Sequence, residues 1–281
     1  MDFRTRPARI LFGAHRGFRA MAPENTLPAF ELAASAGADF IELDVACTRD
    51  RRLVILHDDS LARTTNAGTA FRDGRLAACE RSFAEVRSLD AGSWFLEKDP
   101  FGTLASGRLD AREASGYRGL QVPALEEALE LAKRLGIGVN VEIKDHAKLA
   151  HDATIVEDTL GAVRDAGMED SVLVSSFSPS YLVRATKAAP GIPRALLVEN
   201  KRPWDPVESC RQACAQWYHP SEELILGCHL VCLQRAGIFV TAWTVNDPAL
   251  ALQLSLMGVT GFITDDPETI ARPFPNRPPQ A

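Results

Sequence analysis

Residues 39–58 read Asp39-Phe40-Ile41-Glu42-Leu43-Asp44-Val45-Ala46-Cys47-Thr48-Arg49-Asp50-Arg51-Arg52-Leu53-Val54-Ile55-Leu56-His57-Asp58, and their spacing decides the fold. Two β-type runs, Asp39–Val45 and Leu53–His57, are separated by only seven residues. A crossover between parallel strands needs a dozen or more. The two runs must therefore form an antiparallel hairpin, turning near Asp50-Arg51-Arg52. With the turn centred on Arg51, facing residue numbers sum to about 102, which sets His57 opposite Val45 and level with Asp44. Seven further β-type runs lie outside this hairpin, at Arg9–Ala14, Gly138–Ile143, Ser171–Ser176, Arg194–Val198, Gln216–His219, Ile238–Val245 and Gly261–Thr264. Helical stretches lie between most of them, at Thr26–Ala36, Ala124–Leu135, Ala147–Ala166, Ser178–Ala188, Ser221–Ala236 and Pro248–Met257. Several stop at a glycine (Gly37, Gly136, Gly167, Gly237), the usual left-handed terminator. Setting aside the returning hairpin arm leaves eight parallel strands alternating with helices. That is an α/β fold, a TIM (β/α)8 barrel with one extra hairpin.

Between Asp58 and Val122 no helix-period core is evident, and a structureless loop of that length belongs to a functional insertion. We read it as a small subdomain over one mouth of the barrel. Residues 1–272 then make one domain including insertion 58–122, and 273–281 make a loose proline-rich tail (Pro273, Pro275, Pro278, Pro279). The 281 residues are 46% hydrophobic and 24% charged, with 31 Lys and Arg against 37 Asp and Glu. Those fractions exclude intrinsic disorder and a disulfide mini-scaffold. A net charge of −6 argues against a nucleic-acid binder. No apolar run approaches the roughly 20 residues that span a bilayer, so no stable membrane insertion is expected. The charged start, Met1 to Arg9, does not read as a secretion signal. Six cysteines without an export signal read as reduced thiols in a cytoplasmic protein. Self-association into a homo-oligomer is compatible with all of this.

In a parallel barrel, chemistry collects where the strands end. His15-Arg16-Gly17 ends the first strand, and Glu42 and Asp44 share one face of the second. His57-Asp58 closes the hairpin, Glu142 and Lys144 repeat the two-residue spacing, and Trp243-Thr244-Val245-Asn246 and Thr264-Asp265-Asp266 end the last two strands. Three carboxylates (Glu42, Asp44, Glu142) converging on one mouth repel each other unless a cation joins them. An all-oxygen set suits Mg²⁺ or Ca²⁺ rather than zinc. Arg16 and Lys144 suit a phosphate, and two histidines beside it suit general acid and general base. Phosphodiester cleavage is the reaction these parts describe.

The same motifs resemble the glycerophosphodiester phosphodiesterases. The match runs through His15-Arg16-Gly17, Pro23-Glu24-Asn25-Thr26, Ile41-Glu42-Leu43-Asp44-Val45, Val54-Ile55-Leu56-His57-Asp58 and Arg63-Thr64-Thr65. It continues through Leu89-Asp90-Ala91-Gly92-Ser93-Trp94-Phe95, Leu125-Glu126-Glu127-Ala128-Leu129, Val141-Glu142-Ile143-Lys144, Ala242-Trp243-Thr244-Val245-Asn246 and Gly261-Phe262-Ile263-Thr264-Asp265. The resemblance implies a TIM-like barrel that hydrolyses small glycerophosphodiesters to glycerol 3-phosphate and an alcohol with a divalent metal. It implies that Glu42, Asp44 and Glu142 bind the metal, His15 and His57 exchange protons, Arg16 and Lys144 hold the phosphate, and Trp243 lines the pocket. Arg51 stands where the family usually has glycine, and Ala124 where it usually has threonine.

Other features read more plainly. Cys210 with Cys214, and Cys228 with Cys232, are each four apart. A four-thiolate zinc site is imaginable, but buried small hydrophobes are the better expectation. His219 reads as a rim or packing residue, and Asn25-Thr26 as a helix cap that also tunes the metal shell. Two other functions compete: a phospholipase D-like enzyme acting on lysophospholipid headgroups, and a silent barrel that binds a phosphorylated metabolite.

Overall fold

The computed structural model describes residues 1–147 and 149–274. The chain runs β1 (Leu11–Ala14), α1 (Leu27–Ser35), β2 (Phe40–Cys47) and β3 (Leu53–Ile55), then four short helices, α2 (Ala67–Ala70), α3 (Phe83–Arg87), α4 (Ser93–Lys98) and α5 (Ala111–Ala114). After these come α6 (Leu125–Leu135), β4 (Gly138–Ile143), α7 (Ile155–Asp165), β5 (Val172–Ser176), α8 (Pro179–Ala188), β6 (Arg194–Val198) and α9 (Pro206–Gln212). The last elements are β7 (Trp217–Pro220), α10 (Gly227–Arg235), β8 (Phe239–Ala242), α11 (Pro248–Met257), β9 (Gly261–Thr264) and α12 (Pro267–Ala271). Among the described residues the strands form one sheet, ordered β1-β9-β8-β7-β6-β5-β4-β2-β3, and a parallel β1–β2 pairing closes it. Eight strands make the barrel. The ninth, β3, lies outside it, antiparallel to β2.

Periodicity places each helix. In α6 the buried Leu125, Ala128, Leu129 and Ala132 recur at helical spacing, and Gly136 stops the helix at φ +67°. A neighbouring layer of β-strand side chains (Leu43, Val45, Val139, Val141) receives them. Each such large side chain contributes roughly 1.5–3 kcal/mol when fully buried. At the far end of the barrel, Phe3 plugs the interior against Phe40 and Trp217, at ring separations of 5.5 and 6.1 Å. Trp217 Nε1 donates to the Phe3 carbonyl at 3.0 Å.

The structure corrects several boundaries. Val45 pairs with Ile55 and Cys47 with Leu53, so the hairpin turns one residue earlier than spacing alone predicts. Thr48 and Arg52 close a three-residue loop, with Thr48 N donating to Arg52 O at 3.0 Å, and Arg51 takes the left-handed conformation at φ +62°. That loop type reserves its last position for such a backbone, hence the family's glycine. His57 falls just beyond β3 rather than opposite Val45, although Leu56 N still donates to Asp44 O at 2.9 Å. Of the expected helix Ala147–Ala166, the helical part is Ile155–Asp165, and residue 148 lies outside the described residues. The stretch Ser221–Ala236 splits into a 3₁₀ turn, Glu222–Leu224, and α10.

The insertion is seated at the mouth on two apolar clusters. Its Leu61, Ala67, Val86, Leu89 and Val122 pack on Ala46, Val54 and Leu56 of the hairpin, while Phe95, Leu109 and Tyr117 pack on Ala22 and Ala29 after β1. It buttresses one flank of the mouth. In the tail, Phe274 packs on Phe12 at 5.2 Å, and residues 275–281 lie outside those described. No helix of the described residues is long and apolar enough to cross a membrane.

Candidate active site

One cavity of about 420 Å³ opens at the C-terminal ends of the strands. It is lined by the polar His15, Arg16, Glu42, His57, Asn140, Glu142, Lys144, Glu199 and Thr244 and by the apolar Phe177, Leu197, Trp243 and Ile263. No residue of 58–122 lines it.

The parallel register of β2 on β4 sets Asp44 beside Glu142 and Glu42 beside Asn140. One oxygen from each of Glu42, Asp44 and Glu142 lies within 4.8 Å of the others, and all three side chains are buried. Burial and mutual repulsion push Glu42 well above the usual carboxylate range and bring Glu142 up to about 7. Asp44 goes the other way. Burial would raise it, but Lys144 Nζ at 2.8 Å and Arg16 Nε at 3.5 Å hold it well below that range. Lys144 also donates to Glu142 Oε1 at 2.6 Å, and Asn25 Nδ2 donates to Asp44 Oδ2 at 2.8 Å. Three buried carboxyl groups that repel one another, on an all-oxygen donor set, fit a hard divalent ion.

Each histidine is oriented by a carboxylate. His15 Nδ1 donates to Asp265 Oδ1 at 2.7 Å, and His57 Nδ1 donates to Asp58 Oδ1 at 2.7 Å. Against the opposing effect of burial, hydrogen bonds and cations hold Asp265 at about 2; Arg63, chiefly by hydrogen bonding, holds Asp58 at about 2. Ionised carboxylates only accept, so Nδ1 carries the proton in both rings and Nε2 is left to exchange one. Burial lowers the proton affinity of both imidazoles.

A second carboxylate organises the cations. Glu24, 5% exposed, accepts from Arg16 at 2.9 Å, Arg19 at 2.9 Å and Arg63 at 2.6 and 3.0 Å. Burial opposes its charge, yet those arginines hold it at about 2. Arg63 also grips Asp58 through Nε at 2.6 Å, so the start of the insertion is tied to the loop after β1. That loop makes its turn through Arg16 at φ +54° and Gly17 at φ +82°, and a Cβ on Gly17 would meet the Ala29 backbone at 2.8 Å. Trp243 is fixed by its Nε1 donating to the His219 carbonyl at 2.8 Å, and Phe177 stands edge-on to it at 5.7 Å.

The structure thus brings together all eight residues singled out by the sequence. It adds Glu24, Asp58, Arg63, Asp265 and Asn246, whose Nδ2 donates to Asp265 Oδ2 at 2.8 Å; their signal was their place at strand ends and in the matched motifs. The capping role expected of Asn25 and Thr26 is not found: Thr26 Oγ1 donates to Pro23 O at 2.6 Å, and Asn25 turns to Asp44 instead. The cysteines form no thiolate cluster among the described residues. All six are free, with Cys210 buried but Cys228 and Cys232 exposed rather than packed.

Fold and site together define a barrel enzyme of phosphate-ester chemistry. The model of the glycerophosphoryl diester phosphodiesterase family matches residues 15–269, and the chain belongs to that family. It is 33% identical over 269 residues to a glycerophosphodiester phosphodiesterase of Caldanaerobacter subterraneus subsp. tengcongensis, covering 93% of this chain and 96% of that one. Among solved structures it is similar to an Oleispira antarctica phosphodiesterase in complex with the product sn-glycerol-3-phosphate (TM-score 0.76, 29% identity, covering 96% and 97% of the two chains). It is also similar to a glycerophosphodiester phosphodiesterase from Agrobacterium tumefaciens (TM-score 0.73, 26% identity, covering 94% and 99%).

Proposed function

We propose that this chain hydrolyses small glycerophosphodiesters to sn-glycerol 3-phosphate and an alcohol. The observation that carries the reading is the meeting, in one cavity, of three mutually repelling buried carboxylates and two carboxylate-oriented histidines. Glu42, Asp44 and Glu142 would hold Mg²⁺ or Ca²⁺, which when bound would supply positive charge against that building on the phosphate oxygens. Arg16 and Lys144 draw the phosphate to the same wall. One histidine takes a proton through Nε2 from the attacking hydroxyl, either water or the neighbouring glycerol hydroxyl. The other gives a proton to the departing alkoxide as the phosphorus–oxygen bond breaks. Attack by water gives the monoester directly, and the two rings then reset by exchanging protons with solvent. Attack by the glycerol hydroxyl gives a cyclic phosphate, which water opens with the two rings exchanging roles, so protons balance over the turnover by either route. The arriving phosphate charge raises the proton affinity of the acidic ring, offsetting its burial. Phe177 and Trp243 form the apolar wall beside the alcohol.

Residues 1–272 act as one catalytic unit in this reading, with 58–122 as a buttress and 273–281 as an appendage. Six free cysteines favour a reducing, cytoplasmic setting. Release of choline from glycerophosphocholine, abolished by chelator and restored separately by Mg²⁺ or Ca²⁺, is the test. No turnover on a panel of glycerophosphodiesters under either metal would refute the proposal.

A further inference from the structure

One charged residue of the cavity is left unused by the chemistry above. Glu199 lines the cavity together with Phe177 and Trp243. Each of the three is the first residue beyond its strand, β6, β5 and β8 respectively, so they stand at one level of the mouth. Ser221, the first residue beyond β7, ties that level together: its N donates to Val198 O at 2.8 Å, and it bridges to Trp243 in parallel. The Phe177 ring meets Trp243 at 82°, which leaves a corner of two aromatic rings next to the carboxylate.

No cation answers Glu199 among the described residues. Its carboxylate accepts from the Asn200 amide at 3.1 Å, and the nearest arginine in sequence, Arg202, donates instead to the Leu224 carbonyl at 2.7 Å. The neighbouring acids deepen the negative field. Glu222 N donates to the Trp243 carbonyl at 2.8 Å, and burial, together with repulsion from Glu223 and Asp247, raises the proton affinity of Glu222. The same cavity therefore carries Arg16 and Lys144 for a phosphate and, beside two aromatic rings, a carboxylate without a countercharge. A substrate matched to both is a zwitterion. Aromatic faces and a carboxylate attract an ammonium or quaternary ammonium group, give a neutral alcohol no charge to answer, and repel an anionic one. We infer that Glu199, with Phe177 and Trp243, selects diesters whose departing alcohol is a cation of the ethanolamine or choline type over those of neutral or anionic alcohols. The inference rests on the phosphodiesterase reading and deepens it, because it names the charge of the alcohol released.

The test compares kcat/KM of the Mg²⁺-loaded protein on glycerophosphocholine and on its carbon isostere, in which a tert-butyl group replaces the trimethylammonium. The two esters have the same shape and differ by one charge. The wild type should prefer the cation about tenfold or more. Glu199→Gln, which keeps the shape and removes the charge, should reduce that preference about threefold or more, and Glu199→Lys should bring it to one or below. Glu199 is exposed, so neither substitution disturbs the core. Equal kcat/KM of the wild type on the two esters overturns the inference whatever the variants do. A Glu199 that only shapes its loop would lower both esters together and leave their ratio unmoved, and that result overturns it too. Turnover itself separates two failures. Turnover of both esters without a preference removes the charge selection alone, and absence of turnover of either removes the phosphodiesterase reading and the selection with it.

Discussion

His15 Nδ1 lies 2.7 Å from Asp265 Oδ1, although 250 residues separate them in the chain. The contact spans the seam between the first and last strands, where β1 pairs with β9 and His15 N donates to Thr264 O at 2.9 Å. His57 takes its carboxylate from the next residue, Asp58. One ring is thus oriented by closure of the barrel and the other by its own loop. His15→Ala and His57→Ala should each lower turnover of glycerophosphocholine by about 10²–10⁴. The double variant should lose much less than the product of the two. A p-nitrophenyl leaving group needs little protonation and should rescue one variant alone, which steady-state kinetics on both substrates will show.

Glu42→Gln and Glu142→Gln should abolish Mg²⁺ and Ca²⁺ binding in calorimetry while leaving the barrel folded. Each removes a charge that burial and its neighbours disfavour, so the metal-free variants should melt at or above the metal-free wild type. The wild type should gain about 2.7 kcal/mol at a metal concentration one hundred times Kd, and the variants nothing. Unchanged metal affinity in both would refute the ligand assignment.

Glu24 should contribute to acid stability, alongside Asp44, Asp58 and Asp265. Its folded value of about 2 lies below its ordinary 4.5, so the stability it contributes is complete above about pH 4.5 and falls away as the pH drops towards 2. Glu24→Gln leaves three arginines against a neutral amide and should cost about 3–5 kcal/mol at pH 7. Urea titrations at stepped pH should show that gap narrowing between pH 4.5 and 2.

Arg51→Gly should stabilise the protein by about 0.5–1 kcal/mol. A side chain at φ +62° costs about 1–2 kcal/mol, partly offset by the backbone entropy that glycine adds to the unfolded chain. The exposed ion pair it gives up, Arg51 to Asp158 at 3.0 Å, contributes little. A rise of a few degrees in Tm is the expected result.

Leaving-group preference should follow Phe177 and not the insertion, since no residue of 58–122 lines the cavity. Phe177→Ala should alter kcat/KM ratios among glycerophosphodiesters of differing alcohols by about fivefold or more, roughly the loss of one aromatic contact. Trimming the insertion should instead lower Tm, because its apolar side chains cover Val54 and Leu56.

The barrel was legible because seven residues between Val45 and Leu53 cannot hold a crossover, and because glycines mark the helix ends. The metal carboxylates were legible because alternate strand residues share a face, and Asp44 and Glu142 indeed meet in register. What escaped depends on distances that no local pattern encodes. The bonds from Glu24 to Arg63, and from His15 to Asp265, join segments whose approach is set by the whole sheet. The helices α9 and α12 are short, at 7 and 5 residues, and too brief to show a period. The hairpin register differs by one step from the one that spacing predicts, because the left-handed Arg51 is the last residue of the turn and not its centre.

The wiring of the mouth has a consequence for how product leaves. Arg16, Arg19, Arg63 and Lys144 face six carboxylates, those of Glu24, Glu42, Asp44, Asp58, Glu142 and Asp265. With both imidazoles neutral and every one of these six carboxylates ionised, the ten named groups carry two surplus negative charges, which one divalent cation would cancel, and Glu199 on the cavity wall adds a further negative charge. A diester brings a single negative charge into that balance. In the proposed reaction cleavage would give a monoester that reaches a charge of about −1.5 to −2 only once a further proton has passed to solvent, so loss of that proton, and not bond breaking itself, would make the occupied mouth more negative and favour release of glycerol 3-phosphate.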